Sequence, residues 1–138
     1  MGRRHSCLAE GINCTADGNY SHAGGKDSFT SSLAIASHAS GIGLQTYCEG
    51  QTVVGRYNKE GSKDCVFQIG VGTESNRQSI FSVVYVPTGS EDTTYPTIVI
   101  RWNGYDYDLF KMLETIGKRL GDGDVNSVFD PASHIVGI

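Results

Sequence analysis

Residues 95–121 read YPTIVIRWNGYDYDLFKMLETIGKRLG, and this stretch predicts one buried strand that leads into one amphipathic helix. The β-branched and aromatic run at residues 97–102 is typical of a strand. Asn103-Gly104 is a turn signal. Asp106 or Asp108 can then cap a helix, because a short carboxylate accepts the free N–H groups of the first turn. One apolar face predicts the helix itself, with Gly121 as its C-cap. That face consists of Leu109, Met112, Leu113, Ile116 and Leu120.

The rest of the chain is expected to build the sheet that covers this helix. A first helix is predicted over residues 28–40, strands over residues 44–57, 65–71 and 80–86, and a last strand over residues 134–138. This order predicts an α+β fold, an α/β-sandwich in which an antiparallel sheet carries two helices packed on one face. Residues 1–28 look irregular, and no internal repeat is recognised.

Length and charge bound the class of protein. A chain of 138 residues predicts a single domain over residues 1–138. The net charge is −4 and there is no basic block, which argues against nucleic-acid binding, because such binding relies on many phosphate contacts. No apolar run approaches the roughly 18 residues that a membrane helix needs. We expect a monomer without a cofactor or a membrane span.

Four cysteines lie in the first half of the chain, without the spacing of a zinc site. They are Cys7, Cys14, Cys48 and Cys65. Their even number predicts two disulfides, which would tie down the irregular N-terminal segment, and three pairings are open. Disulfides in turn predict a secreted, extracellular protein.

The N-terminal residues give mixed signals about secretion. Asn13-Cys14-Thr15 and Asn19-Tyr20-Ser21 fit the glycosylation triplet, so that Asn13 and Asn19 are candidate glycosylation sites. The first six residues, MGRRHS, lack the apolar region of a signal peptide, so either the chain is a mature form with an added Met1 or the protein is cytosolic. The same residues fit an N-myristoylation pattern, which leaves a lipidated intracellular adaptor as a third hypothesis.

Residue types suited to acid–base chemistry are present without a motif that fixes their role. His22 and His38 flank the predicted first helix and could meet in space. A histidine pair, or a histidine with Glu49, could act as general acid and base on RNA or a glycan. Asp106 and Asp108 could form a glycosidase pair or bind a cation, but helix capping explains them more simply. We therefore predict no catalytic residue and no metal ligand.

Binding residues are instead expected where the predicted strand meets the second helix. Trp102 is the only tryptophan of the chain, and tryptophan often anchors the centre of an interface. The candidate binding residues are Trp102, Arg101, Tyr105 and Tyr107.

Three segments resemble the small secreted killer toxins of smut fungi and the killer-toxin-like effectors of other fungi. They are Gly11-Ile12-Asn13-Cys14, Cys65-Val66-Phe67-Gln68-Ile69, and residues 113–125 together with residues 134–136. The resemblance implies an α/β-sandwich and extracellular toxicity or virulence without catalysis. The partner it implies is a protein or cell-surface target of a host or competitor. Cysteines that this family carries near its second helix and C-terminus are missing here. The family's active lysines cannot be placed on this chain, so no functional residue is carried over.

The first hypothesis is therefore a small secreted binding protein, stapled by two disulfides. Its sharper form is a fungal effector or killer-toxin-like virulence protein. The alternative is a small secreted hydrolase, ribonuclease-like, that uses a His/carboxylate pair. The first hypothesis requires oxidised cysteines and no turnover, whereas the alternative requires a histidine and a carboxylate in one cleft.

Overall fold

The chain is described here by a computed structural model that covers residues 6–60, 64–87 and 94–119. It consists of stacked parallel β-coils, followed by an antiparallel extension and one helix. The strands are β1 Leu8–Ile12, β2 Thr15–Ala16, β3 His22–Lys26, β4 Phe29–Thr30, β5 His38–Ile42, β6 Gln45–Thr46, β7 Thr52–Arg56, β8 Cys65–Val71, β9 Ser79–Pro87, β10 Thr94–Trp102 and β11 Tyr105–Asp108, and the helix is α1 Leu109–Arg119.

The first half of the chain is a β-solenoid. Strands β1, β3, β5, β7 and β8 pair in parallel in one sheet, and the two-residue strands β2, β4 and β6 form a second, three-stranded sheet. Each coil thus crosses from one sheet to the other and returns beside its own start. Equivalent positions recur about 15 residues apart, which is the sequence signature of a repeat architecture. The expectation that the sequence lacks an internal repeat is wrong.

Glycines let successive coils approach closely. Gly25 in β3 pairs with Gly41 in β5, which pairs with Gly55 in β7. Gly25 has φ +99°, a conformation that favours glycine, and a Cβ atom there would overlap the carbonyl of Gly41. The glycine ladder is therefore a requirement of the stacking.

The interior of the solenoid is narrow and largely polar. Its apolar cluster contains only Ala39, Leu44 and Val53, all fully buried. Elsewhere hydroxyl pairs join the residue before a strand of the large sheet to the small sheet, as between Ser21 and Thr30 in β4, whose oxygens are 2.7 Å apart. Every buried side-chain nitrogen or oxygen of the described residues has a hydrogen-bond partner, which removes the cost of burying polar groups.

The second half continues the same large sheet with antiparallel strands. β8, β9, β10 and β11 lie in chain order, so each strand pairs with the one before it. At the junction Asn58 is fully buried, where its side chain accepts a hydrogen bond from Gln45 N (2.8 Å) and donates one to Gln68 Oε1 (2.7 Å). This amide links the last coil to the antiparallel extension.

The predicted α/β-sandwich with two helices on one face is wrong. Among the described residues α1 is the one helix, and residues 28–40 form β4, turns and the start of β5 instead of a first helix. The side chains of Ser28 and Thr30 are buried in the solenoid, and Ala36 has φ +53°, which no right-handed helix accepts. The segment predicted to be irregular contains β1, β2 and β3. The predicted last strand lies outside the described residues.

The two predicted disulfides are also absent, because all four cysteines are free. Cys48 and Cys65 are buried, whereas Cys7 and Cys14 are half-buried. Burial raises the pKa of the Cys65 thiol to about 11, so this side chain stays protonated at neutral pH and behaves as a small apolar residue. Backbone pairing between coils, rather than cross-linking, orders the N-terminal segment.

Candidate functional site

The four predicted binding residues come together on the hairpin formed by β10 and β11. The register places Trp102 opposite Tyr105, and Arg101 opposite Asp106. Because side chains alternate between the faces of a sheet, Trp102 and Tyr105 share one face and Arg101 and Asp106 share the other. The sequence therefore predicted residues that are neighbours in space, on two opposite faces.

Trp102 and Tyr105 are exposed, with 74% and 68% of their surface accessible. Ile100 and Tyr107 are the next pair on the same face and are less accessible. We call Trp102, Tyr105, Ile100 and Tyr107 the aromatic patch. Large aromatic side chains held by strand pairing present contact area without much loss of conformational freedom on binding.

Ionic contacts fix the hairpin from its other face. Arg101 donates hydrogen bonds to Asp106 Oδ1 at 2.7 Å and to the carbonyl of Gly104 at 3.0 Å, and Lys59 donates to Asp106 Oδ2 at 2.6 Å. Partial burial acts to raise the pKa of Asp106, but the hydrogen bonds from Lys59 and Arg101 outweigh it and lower the pKa. Asp106 therefore stays ionised and ties the hairpin to the segment after β7, rather than capping the helix.

Asp108 is the helix cap. Its Oδ1 atom accepts hydrogen bonds from Lys111 N at 3.1 Å and from the Thr97 hydroxyl at 2.9 Å. Partial burial acts to raise the pKa of Asp108, but these hydrogen bonds outweigh it and lower the pKa. Of the two capping candidates, the second is confirmed. Asp106 accepts hydrogen bonds from two cationic side chains, and Asp108 accepts them from a hydroxyl and a backbone amide, so both carboxylates have structural partners.

The apolar face of α1 is only partly covered. Leu109, Met112 and Leu113 are half-buried, and Ile116 is exposed. Met112 and Ile116 line a cleft of about 430 Å³ together with Tyr107. Leu120 and Gly121, the predicted end of the helix, lie outside the described residues. The cleft thus extends the apolar surface of the aromatic patch along the helix.

A second cleft, of about 510 Å³, lies on the face of the sheet that carries Asp106. Its lining is more polar and includes Lys59, Glu60, Asp64 and Gln68. No histidine of the described residues lines either cleft.

His22 and His38, which the sequence left as a possible pair, are in contact. His22 in β3 and His38 in β5 are register partners, and their Nδ1 atoms are 3.1 Å apart. The carboxylate beside them is Glu10, whose Oε1 is 3.0 Å from His22 Nε2, and not the predicted Glu49. The repeated triplet Ser-His-Ala at residues 21–23 and 37–39 is the sequence signal that points to this contact. No comparable signal singles out Glu10.

The two glycosylation candidates lie in turns of the solenoid. Asn13 is exposed and has φ +55°, and its side-chain amide donates a hydrogen bond to Asp27 at 3.0 Å. Asn19 is half-buried, and its carbonyl accepts a hydrogen bond from Ala36 N at 2.8 Å. Asn13 is the better placed of the two for modification.

Comparisons of the chain with protein-family models, with curated proteins and with solved structures found no match. Within the described part of the chain, no helix combines the length and the apolar character that crossing a membrane requires. The function is therefore argued from the geometry of the chain itself.

Proposed function

We propose that the protein is a non-catalytic binding module that captures an extended segment of a partner protein along strand β11. The observation that carries the proposal is the pair of exposed aromatic side chains, Trp102 and Tyr105, which face each other across a hairpin held by the Arg101–Asp106 and Lys59–Asp106 ion pairs. Interfaces are enriched in tryptophan, tyrosine and arginine, and such residues contribute most of the binding energy.

The position of β11 in the sheet supports an extended ligand. β11 ends the strand order, and none of the described residues forms a strand on its outer side. Such an edge offers unpaired backbone groups, with which an extended peptide can pair as an added strand. Side chains of the added strand would then lie beside Tyr105 and Tyr107. Contacts with these two tyrosines would determine which peptide sequences bind.

The solenoid supports the patch as a rigid base. Lys59 follows the last coil directly, and its ion pair with Asp106 joins that coil to the hairpin at 2.6 Å. A patch fixed in advance on a rigid scaffold loses less entropy on binding than a mobile loop.

Catalysis has weaker support than binding. The hydrolase alternative requires a histidine and a carboxylate in one cleft. Glu10 and His22 are in contact, but both lie on coils of the solenoid and line neither of the clefts described above. Secretion and the killer-toxin-like or effector role stay predictions, and the proposal depends on neither. Two of their supports, the disulfides and the α/β-sandwich, are missing from the fold.

The test is selection of a phage-displayed peptide library on the purified protein, followed by measurement of the Kd of each selected peptide. The double variant Trp102→Ala/Tyr105→Ala should raise the Kd of these peptides by about 30-fold or more, because interface anchors contribute at least roughly 2 kcal/mol to the binding free energy. Leu33→Ala is the matched control, since it also removes an exposed apolar side chain but lies in the solenoid.

Two results would contradict the proposal. One is that the selected peptides bind the double variant and the wild type with the same Kd. The other is a concentration-dependent dimer in sedimentation velocity that the double variant loses, which would assign the aromatic patch to a second copy of the chain.

A further inference from the structure

Two histidine rings meet on neighbouring coils, and we propose that His22 and His38 bind a divalent late transition-metal ion through their Nδ1 atoms. His22 begins β3 and His38 begins β5, and the next residue of each strand, Ala23 or Ala39, is fully buried. Alternation along the strands therefore places both imidazoles on the outer face of the solenoid. The Nδ1 atoms are 3.1 Å apart, and the ring planes are inclined by 55°.

Glu10 prepares His22 for this role. Its carboxylate Oε1 is 3.0 Å from His22 Nε2, so the proton of the neutral imidazole sits on Nε2 and is donated to Glu10. The lone pair of His22 is then on Nδ1, which points at His38. Histidines that bind metals characteristically donate their second N–H to a carboxylate in this way.

Gly24 provides the space that the His22 ring occupies. A Cβ atom at position 24 would lie 3.2 Å from Cε1 and 3.3 Å from Nε2 of His22, closer than ordinary van der Waals contact. In the next coil the equivalent position is Ser40, which is exposed. The sequence thus omits a side chain at the place where the ring must lie to reach Glu10.

The tautomer of His38 follows from that of His22. Because His22 Nδ1 carries a lone pair, His38 Nδ1–H donates to it across the 3.1 Å contact in the metal-free protein. The metal ion takes the place of that proton, and His38 then carries its proton on Nε2, without a net release of protons.

The spacing of the nitrogens selects among metals. With a metal–nitrogen distance of about 2.1 Å, nitrogens 3.1 Å apart subtend roughly 95° at the metal. This angle is nearer to the right angle of octahedral and tetragonal sites than to a tetrahedron, and it favours Ni²⁺ or Cu²⁺ over Zn²⁺. Within the described ranges no group of three or more His, Cys, Asp or Glu can hold a metal ion, so water completes the coordination.

The test is titration of the untagged, full-length chain with Ni²⁺ by isothermal calorimetry. One Ni²⁺ should bind per chain. His22→Ala and His38→Ala should each remove this binding, and Glu10→Gln should weaken it roughly 10-fold. Gly24→Ala should also weaken it, because the added methyl group displaces the ring. Ser40→Ala is the matched control at the equivalent position and should bind Ni²⁺ as the wild type does.

A second measurement distinguishes Ni²⁺ binding at this site from binding at the other two histidines or the four thiols. Every variant retains those other groups. Paramagnetic Ni²⁺ should broaden the backbone amide NMR signals of β3 and β5 before all others. Unchanged Ni²⁺ affinity in His22→Ala/His38→Ala, a wild type without Ni²⁺ binding, or broadening centred elsewhere would each overturn the proposal. The amide spectrum of each metal-free variant also verifies its fold, and Glu10→Gln leaves both rings in place if an alanine variant does not fold.

Discussion

Leu44 offers the sharpest test of the solenoid, because it is the largest fully buried side chain in the described chain. It belongs to the apolar cluster with Ala39 and Val53, and its Cδ1 atom lies against Gly41. Leu44→Ala should therefore leave a cavity. The same substitution at Leu33, which is 77% exposed, should leave none.

The expected loss of stability follows from the surroundings of Leu44. Buried Leu→Ala substitutions cost about 2.7–5 kcal/mol, and the cost is largest where neighbours cannot fill the cavity. Here the neighbours are alanine, valine and glycine on strands held by the sheet, so we expect about 4 kcal/mol for Leu44→Ala. Leu33→Ala should change the free energy of unfolding by no more than about 0.5 kcal/mol.

Urea unfolding followed by circular dichroism measures both variants. With an m value of about 2 kcal/mol/M, a loss of 4 kcal/mol lowers the midpoint by about 2 M urea. If Leu44→Ala does not fold, Leu44→Val, which removes one methylene, should cost about 1–2 kcal/mol. Equal midpoints for the variants at positions 44 and 33 would refute the placement of the core.

Two further predictions concern the glycine ladder and the helix cap. Gly25→Ala should destabilise the protein by several times the roughly 1–2 kcal/mol of Gly50→Ala. Both positions have positive φ, but only at Gly25 does the new Cβ overlap the next coil. Thermal unfolding of the two variants measures the difference in stability. Asp108→Ala should cost about 1 kcal/mol at pH 7 in urea unfolding, whereas Asp108→Asn, which can still cap, should cost less. Because the pKa of Asp108 is lower folded than unfolded, its stabilisation is complete above the unfolded pKa and is lost as the pH falls through the folded value. The difference between wild type and Asp108→Ala should thus shrink below about pH 4, and a constant difference would show that the carboxylate is not the cap.

The sequence predicts most of the described elements in the second half of the chain. The strands expected over residues 65–71 and 80–86 are β8 and β9, and residues 97–102 lie in β10. The turn at Asn103-Gly104 and the cap at Asp108 are also correct. These elements carry ordinary signals, namely β-branched runs, a turn dipeptide and a helical apolar period, because each pairs with its neighbour in the chain. The sequence does not predict the short strand β11, because its four residues lie between a turn dipeptide and the first turn of the helix.

In the first half, the strands expected over residues 44–57 are confirmed as β6 and β7. The rest of that half was not predicted, because few of its buried residues are large and apolar. The inward positions are occupied by small residues such as Ala23, Thr30 and Ser37. The hydroxyls of Thr30 and Ser37 pair with those of Ser21 and Thr46 inside the solenoid. A sequence of such small residues lacks the pattern of a buried strand, and it instead predicts a weak helix or an irregular segment. The informative signal is instead the recurrence of glycine and of Ser-His-Ala at the spacing of one coil.

Parallel stacking also explains why the two candidate sites differ in how far the sequence reveals them. In the hairpin, Trp102 and Tyr105 meet because only a two-residue turn separates their strands. Their proximity can therefore be predicted from the sequence. In the solenoid, contact is set by the length of a coil, and His22 meets His38 across 15 intervening residues. An insertion in the turns between β3 and β5 could shift the pairing of the two strands by one residue. Such a register shift would move one imidazole to the other face of its strand, because side chains alternate between the faces. The length of the repeat thus determines that His22 and His38 lie side by side. The contact of Glu10 with His22 depends in the same way on the register between β1 and β3.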